Sequence, residues 1–266
     1  MTDPILELRH VGVTLTGRDG SVNEVSQDVS LELAPREFVS IVGPSGAGKT
    51  TLLRVAAGLR RPTAGEVRFG GKPLTEVQAG ISVVFQEYNK SLFPWLSIFK
   101  NVAMGARRLP VAERSSRVRG ALDMVGLQGF ESRYPWELSG GMQQRAALAR
   151  ALVSDPKVLM LDEPFASVDA LTRGLLEDVV GDLWERSSFA ALLVTHDVGE
   201  AVYLSDRVLV LSTRPSRVLA EVKIDLPRPR SQGSTRQLQR FVELEAQVLG
   251  LVHQAGRSAA GERPAT

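Results

Sequence analysis

The chain has 266 residues, of which 32 are Lys or Arg and 30 are Asp or Glu, so its net charge is close to zero. This length allows a full hydrophobic core, and the balanced charge gives no argument for nucleic acid as a partner. The absence of cysteine excludes disulfides and cysteine-based zinc sites. The N-terminus lacks the basic start and apolar run of a signal peptide, and no apolar run reaches the roughly 18 residues that span a bilayer. Any membrane role is therefore expected to be peripheral.

The first third of the chain is predicted to be mainly strand. Alternating or continuous apolar runs predict strands at residues 5–13, 30–33, 38–42, 65–69 and 81–85. The sequence GRDGS at residues 17–21 predicts a turn between the first two strands. A helix is predicted at residues 50–57, directly after the most continuous apolar strand, and Gly58 is predicted to end it.

The middle of the chain changes to a helical pattern, from residue 97 to about residue 153, with residues 112–125 the clearest amphipathic stretch. Beyond it, strands are predicted at residues 158–161, 191–195 and 207–212, alternating with helical segments. Such alternation indicates parallel βαβ units. The sequence therefore predicts an α/β core that is interrupted by a helical insert.

The C-terminal 40 residues are more basic than the rest, because residues 227–266 hold six Arg and three Glu. We interpret this tail as a solvated, partly disordered end in preference to a binding arm. Within it, residues 236–252 are predicted to form one last helix, and residues 255–266 are predicted to be disordered.

The sequence GPSGAGKT follows the predicted strand at residues 38–42 and opens the predicted helix. Its glycines allow the backbone to pass close to phosphates, with N–H groups directed inward at a helix N-terminus. Lys49 is expected to reach the β- and γ-phosphates of a nucleoside triphosphate, and the Thr50 hydroxyl to bind Mg²⁺. The candidate phosphate-binding residues are Gly43, Pro44, Ser45, Gly46, Ala47, Gly48, Lys49, Thr50 and Thr51.

A pair of carboxylates follows another buried strand, in the sequence VLMLDEP at residues 158–164. Asp162 is expected to hold Mg²⁺, directly or through water. Glu163 is expected to accept a proton from the attacking water, a role typically worth about 10²–10⁴ in rate. An adjacent acidic pair at a strand end is commonplace by itself, and only the phosphate-binding loop makes the catalytic interpretation the better one.

The sequence LSGGMQQR at residues 138–145 predicts a second anion site. Ser139 is a suitable N-cap, Gly140 and Gly141 expose backbone N–H groups, and a helix is predicted from Met142 onward. One chain therefore carries two sites suited to the same γ-phosphate, and periodicity does not say how they meet.

The order and spacing of these three motifs resemble those of ATP-binding cassette (ABC) proteins, from about residue 6 to about residue 227. The resemblance implies an α/β fold with a RecA-like, ABC-type P-loop NTPase core, an antiparallel β subdomain and an inserted α-helical subdomain. It also implies a homodimer paired head to tail, with each ATP between the phosphate loop of one subunit and the LSGG segment of the other. ATP and Mg²⁺ are the expected cofactors.

Further residues match the family pattern one by one. Gln86 resembles the glutamine that contacts Mg²⁺ or the attacking water, and His196 resembles the switch histidine that contacts the γ-phosphate. Ser167 and Asp169 resemble the loop that crosses the dimer interface. The sequence departs from the pattern at Leu15, where the family usually has an aromatic residue that stacks on adenine.

The sequence FQEYNKSLFPWLSIFKNV at residues 85–102 resembles importer ATPases for nitrate, sulfonates and taurine, as does IDLPRPR at residues 224–230. It contains a cluster of large apolar residues, Leu92, Phe93, Trp95 and Leu96. This cluster is either self-buried or a docking surface, and we favour docking because the family receives a permease helix there.

The resemblance assigns residues 1–230 to an ABC ATPase domain with a helical subdomain at about 90–153, residues 231–254 to a C-terminal helix and residues 255–266 to a disordered tail. It implies an energy-coupling ATPase at the cytoplasmic face of a bacterial membrane. Its expected partners are transmembrane permease subunits and, indirectly, an extracytoplasmic substrate-binding protein, without nucleic acid. The alternatives are a soluble ABC ATPase acting on DNA or ribosomes, and a small-molecule kinase or GTPase.

Overall fold

The computed structural model describes residues 3–17, 19–86, 91–166 and 168–258. The chain divides into two compact units. The first comprises Met1–Gln78 together with Ala190–Thr266, and the second comprises Ala79–Phe189. Among the described helices, none combines the length and apolar character needed to cross a bilayer.

Strands and helices follow the predicted order along the chain. The N-terminal part of the first unit contains β1 (Leu6–Thr16), β2 (Val22–Leu33), β3 (Phe38–Val42), α1 (Lys49–Ala56), β4 (Ala64–Phe69) and β5 (Lys72–Pro73). The second unit contains β6 (Ile81–Val84), α2 (Ile98–Ala103), α3 (Val111–Met124), a 3₁₀ turn (Pro135–Glu137), α4 (Gly140–Leu152), β7 (Val158–Asp162) and α5 (Ala170–Arg186). The C-terminal part of the first unit contains β8 (Ala190–Val194), α6 (Val198–Leu204), β9 (Arg207–Leu211), β10 (Val218–Lys223), α7 (Gln232–Thr235) and α8 (Gln239–Ser258).

An antiparallel sheet of the first unit has the strand order β2-β1-β4-β5. Leu6 of β1 lies opposite Leu33 of β2 on one side and Phe69 of β4 on the other, and all three are buried. The predicted turn between β1 and β2 is confirmed, and it closes with a hydrogen bond from Gly17 N to Ser21 O at 2.8 Å. β2 begins eight residues before its predicted start, since its first half does not alternate regularly.

A second group of strands in the first unit has the order β10-β9-β3-β8. β3 pairs in parallel with both β8 and β9, and all five of its residues are buried. A strand covered on both faces needs a continuous apolar sequence, which explains why Phe38–Val42 was predicted to the residue. The ends of β3 and β8 meet at the same edge, where Thr195 N donates to Ile41 O at 3.2 Å.

The second unit contains the predicted helical insert. Its strands β6 and β7 pair in parallel, with Ile81 opposite Val158 and Val84 opposite Leu161. α4 packs against β6 and against α2, α3 and α5. The predicted α/β fold with an antiparallel β part and a helical insert is confirmed.

The IDLPRPR segment has a structural role that its basic composition did not predict. Arg230 is 9% exposed, and its Nη1 donates to Tyr203 O at 2.8 Å and to Ser205 O at 2.9 Å. Arg228 Nη2 donates to Leu204 O at 2.8 Å. These carbonyls lie at the C-terminal end of α6, where no helical N–H follows to satisfy them. The interpretation of this tail as a solvated end is therefore wrong for both arginines.

The last helix, α8, begins three residues later and ends six residues later than the predicted range 236–252. Its residues Phe241, Leu244, Val248 and Ala255 are buried. It packs against α6, β9 and β10. Residues 255–258 are thus helical, and the remainder of the predicted disordered tail lies outside the described residues.

Candidate functional site

The GPSGAGKT loop connects β3 to α1 within the first unit. Gly48 is the N-cap of α1 with a left-handed φ of 86°, and a Cβ at this residue would lie 2.3 Å from Cγ1 of Val25. Gly46 also has a left-handed φ, of 79°. Only glycine meets both demands at Gly48, so the loop presents bare backbone at a helix N-terminus, which favours phosphate groups.

Lys49 is the first residue of α1 and is 6% exposed. Its Nζ donates to Gly43 O at 2.8 Å and to Pro44 O at 3.2 Å, so the ammonium is held against the start of its own loop. The remaining predicted loop residues differ in exposure: Ser45 and Gly46 are exposed, Ala47 and Gly48 are buried, and Thr50 and Thr51 are half-buried.

His196 lies in the same unit, separated from β8 by Thr195, and is exposed. The residues on either side of His196 form hydrogen bonds with each other and with Glu200. Thr195 Oγ1 donates to Glu200 Oε2 at 2.6 Å and accepts from Asp197 N at 3.0 Å. Asp197 Oδ1 accepts from Glu200 N at 3.0 Å and so caps α6. The sequence interpretation found His196 and missed these three residues, although Asp197 and Glu200 have the spacing of a helix cap.

Gln86, Asp162 and Glu163 belong to the second unit. Gln86 lies shortly after β6, Asp162 is the last residue of β7, and Glu163 directly follows it. Asp162 is 2% exposed, and Glu163 is half-buried with a left-handed φ of 45°. Gln86 Nε2 donates to Glu163 Oε2 at 2.9 Å. Parallel strands that end at the same edge thus bring the predicted base and the predicted glutamine into direct contact.

The LSGGMQQR segment forms the start of α4 in the second unit. Ser139 is the N-cap, and its Oγ accepts from Met142 N at 3.3 Å, as predicted. Gly140 is exposed, whereas Gly141 is buried where a Cβ would lie 2.5 Å from Cγ2 of Thr172. Gly141 therefore allows α4 to approach α5 closely.

Buried Gln144 links this helix to the carboxylates, because its Nε2 donates to the carbonyl oxygen of Pro164. Pro164 directly follows Glu163 in the chain. The sequence interpretation missed Gln144, since nothing local shows which carbonyl it contacts.

Two other predicted residues, Ser167 and Asp169, precede α5. Ser167 lies outside the described residues. Asp169 is the N-cap of α5, and its side chain accepts from Thr172 N at 3.0 Å, a hydrogen bond that lowers the pKa of the carboxyl. Its described role is therefore that of a helix cap.

Leu15 lies in β1 of the first unit and is half-buried. It pairs with Asn23 of β2, so β1 extends beyond the predicted end at residue 13 and includes Leu15. No aromatic residue takes its place within β1.

The predicted apolar cluster is partly core and partly surface. Leu92 is 2% exposed and belongs to the core, whereas Trp95 is 68% exposed. The Phe93 and Trp95 rings lie 5.5 Å apart between centroids, at a tilt of 49°. Leu96, the last member, is half-buried.

Buried Asn101 shapes this loop from α2. Its Oδ1 accepts from Phe93 N at 2.7 Å, and its Nδ2 donates to Phe93 O at 3.1 Å and to Leu96 O at 3.0 Å. The exposed ring of Trp95 is therefore held on an ordered turn, which agrees with the docking interpretation for Trp95 and not for Leu92.

A second exposed aromatic pair, missed in the sequence, precedes α4. Tyr134 and Trp136 stack with centroids 4.7 Å apart and an interplanar angle of 13°. Trp136 is 64% exposed.

Comparison with known proteins agrees with these motifs. Residues 26–166, more than half of the chain, match the family model described as ABC transporter. An uncharacterised ABC transporter ATP-binding protein of Methanocaldococcus jannaschii is 44% identical over 88% of this chain and 86% of its own. The aliphatic sulfonates import ATP-binding protein SsuB of Escherichia coli is 44% identical over 89% of this chain and 88% of its own. Its counterpart SsuB 1 of Xanthomonas axonopodis is 46% identical over 82% of this chain and 87% of its own.

Solved structures show the same relationship. A bacterial ABC transporter cassette determined as a dimer has a TM-score of 0.72 and 30% identity, over 82% of this chain and 98% of that chain. A post-hydrolysis dimer of this cassette, bound to ADP and Pi, has a TM-score of 0.71. The predicted ABC-type P-loop fold is confirmed, and this chain belongs to the ABC transporter family as an ATP-binding, ATP-hydrolysing cassette.

Proposed function

We propose that this chain is the energy-coupling ATPase subunit of an importer for a small anion, with aliphatic sulfonates as the first candidates and taurine and nitrate as the others. Two of the relatives above are named for aliphatic sulfonate import. The observation that carries the ATPase role is the direct contact between Gln86 and Glu163 at 2.9 Å.

The catalytic role of Glu163 follows from its surroundings. It is half-buried, so it remains accessible to water, and Gln86 holds one of its carboxylate oxygens. During turnover, the attacking water takes the position beside the Glu163 carboxylate that the Gln86 amide nitrogen occupies here. Glu163 then accepts the proton of that water, while His196 contacts the γ-phosphate.

Phosphate and metal binding are assigned to residues with matching chemistry. Lys49 and the backbone N–H groups of its loop contact the phosphates. Thr50, Gln86 and Asp162 offer hydroxyl, amide and carboxylate oxygens, and oxygen is the ligand that Mg²⁺ prefers. Each of these groups is of a kind that binds Mg²⁺, which would neutralise phosphate charge during hydrolysis.

The active form is proposed to be a homodimer. Ser139, Gly140 and Gly141 of one copy contact the ATP held by the other copy, because the N-terminus of α4 is a second anion site. Ser167 and Asp169 lie in the segment assigned to the interface between the copies.

The permease is proposed to dock on the loop that contains Phe93 and Trp95, at the cytoplasmic face of a bacterial membrane. An exposed aromatic side chain on an ordered turn, such as that of Trp95, is a typical anchor for a partner helix. An extracytoplasmic substrate-binding protein is the indirect partner, since it delivers cargo to the permease.

Uptake of labelled ethanesulfonate tests the proposal in cells of the source organism that lack this gene. We expect the wild-type gene to restore uptake and the Glu163→Gln gene, expressed at the same level, not to restore it. Taurine and nitrate are measured in parallel and identify the cargo. Restored uptake with Glu163→Gln, or no loss of any of the three activities on deletion, would contradict the proposal.

A further inference from the structure

α8 of the first unit packs against α6, whose first turn follows His196 in the chain. The contact centres on Gly199, the second residue of α6. A Cβ built on Gly199 would lie 2.9 Å from Glu245 Oε1, 3.0 Å from Arg236 Nη1 and 3.2 Å from Asp197 Oδ1. Three charged side chains from different parts of the unit therefore converge on one backbone position.

Arg236 is well placed for this contact because its guanidinium is held on several sides. Its Cζ lies 5.2 Å from the ring centroid of Tyr203 and 5.4 Å from that of Phe241. Its Nε donates to Gln232 Oε1 at 2.6 Å. Arg236 thus connects α6, α7 and α8 with few alternative positions for its side chain.

Asp197 connects this cluster to the switch residue. It directly follows His196, and its Oδ1 also accepts the Glu200 N–H at 3.0 Å. Thr195 and Asp197, on either side of His196, are both hydrogen-bonded to Glu200, and Asp197 is also hydrogen-bonded to Thr195. The backbone of His196 therefore has little conformational freedom. A displacement of Asp197 would consequently be transmitted to His196.

We propose that α7 and α8 brace the His196 turn: Arg236 and Glu245 pack at Gly199 and thereby hold this turn in place. Both are therefore positioning residues for ATP hydrolysis. This inference rests on the proposed role of His196. It assigns the C-terminal helix, which lies outside the predicted ATPase domain of residues 1–230, a part in setting the rate of hydrolysis.

Gly199→Ala tests the brace, because it displaces the charged side chains without removing any of them. We expect kcat for ATP hydrolysis to fall at least threefold, with KM for ATP within twofold of the wild type. A merely structural role of these side chains predicts a lower melting temperature with kcat at the wild-type level, because their displacement would then affect stability alone. Gly250→Ala is the matched control, since Gly250 lies in α8 and, among the described residues, none outside its own stretch of helix comes within 4 Å of its Cβ position.

A folded Gly199→Ala protein with wild-type kcat would overturn the proposal. If Gly199→Ala unfolds below the assay temperature, Arg236→Gln replaces it, and its kcat and KM for ATP are compared with those of the wild type in the same way. His196→Ala tests the role of His196 in hydrolysis separately from the brace. Wild-type turnover in His196→Ala would reject the role proposed for His196, whereas loss of turnover there with normal kcat in Gly199→Ala would reject the brace alone.

Discussion

Glu163 combines a left-handed backbone, with φ of 45°, and a side chain that already accepts a hydrogen bond from Gln86. Both features place its carboxylate at a fixed point after β7. A glutamine at this position keeps the shape and can still accept the Gln86 hydrogen bond, but it is not a base.

We therefore expect Glu163→Gln to lower ATP turnover by about 10²–10⁴-fold while ATP binding is retained. Steady-state phosphate release and binding of a fluorescent ATP analogue measure the two quantities. Glu131→Gln, a carboxylate of the same unit without a proposed role, is the control. Turnover at the wild-type rate in Glu163→Gln would remove Glu163 as the base.

We propose that Leu15 occupies the position where the family usually has an aromatic residue, so adenine has no stacking platform there. Leu15→Tyr is expected to lower the Kd for ATP by about fivefold or more, since stacking on a base is worth about 1–3 kcal/mol. Competition between ATP and GTP should be more even in the wild type than in Leu15→Tyr. Leu219→Tyr, at an exposed leucine of β10, is the control. Strong ATP preference in the wild type without any gain in Leu15→Tyr would show that another group holds the base.

Single residues were predictable where their chemistry depends on near neighbours in the chain. Lys49 and Ser139 were found because a glycine-rich loop and a helix cap are local patterns. Gln144 and Asn101 were not, because each buried amide acts on backbone that tertiary packing brings to it. Arg230 was misread for the same reason, since its carbonyl partners at the end of α6 lie 25 to 28 residues earlier in the chain.

The loop between β6 and α2 has a buried part that stabilises it and an exposed part that faces solvent. Asn101 fixes the backbone of the turn, Leu92 anchors it in the core, and Trp95 remains 68% exposed. This division assigns stability to one part of the cluster and partner binding to the other.

Replacement of Phe93 and Trp95 by alanine should therefore leave nucleotide binding and basal ATPase nearly unchanged. The loss of aromatic anchors should weaken permease binding by about 2 kcal/mol or more, roughly thirtyfold in affinity. A permease pull-down beside a thermal melt measures this, with Met124→Ala as an exposed control in α3. A destabilised double variant that still binds permease normally would reject docking.

Strands and helices were also predictable only where burial gives the sequence a clear local pattern. β3 and β7 were predicted closely because strands buried on both faces are continuously apolar. β10 was missed, since its residues alternate only between partly and fully exposed until Val222. α8 was placed with shifted ends, because Gly250 and Gly256 lie inside the helix and so do not mark its end.

The molecule as a whole carries its phosphate loop in the first unit and its LSGG helix in the second. We propose that two copies share each ATP, with Ser139 of one copy acting on the nucleotide held by Lys49 of the other. Blocked hydrolysis should then accumulate a dimer, and damage to either contact should prevent it.

Light scattering on Glu163→Gln measures this directly. We predict the 28.9 kDa chain to double in mass when ATP and Mg²⁺ are added, and not when ADP is added. The variant that combines Glu163→Gln with Ser139→Arg should bind ATP and remain a monomer, because arginine fills the space that the phosphate needs at the α4 N-terminus. An ATP-dependent dimer that forms equally well with Arg at position 139, or no dimer in Glu163→Gln at all, would contradict the shared site.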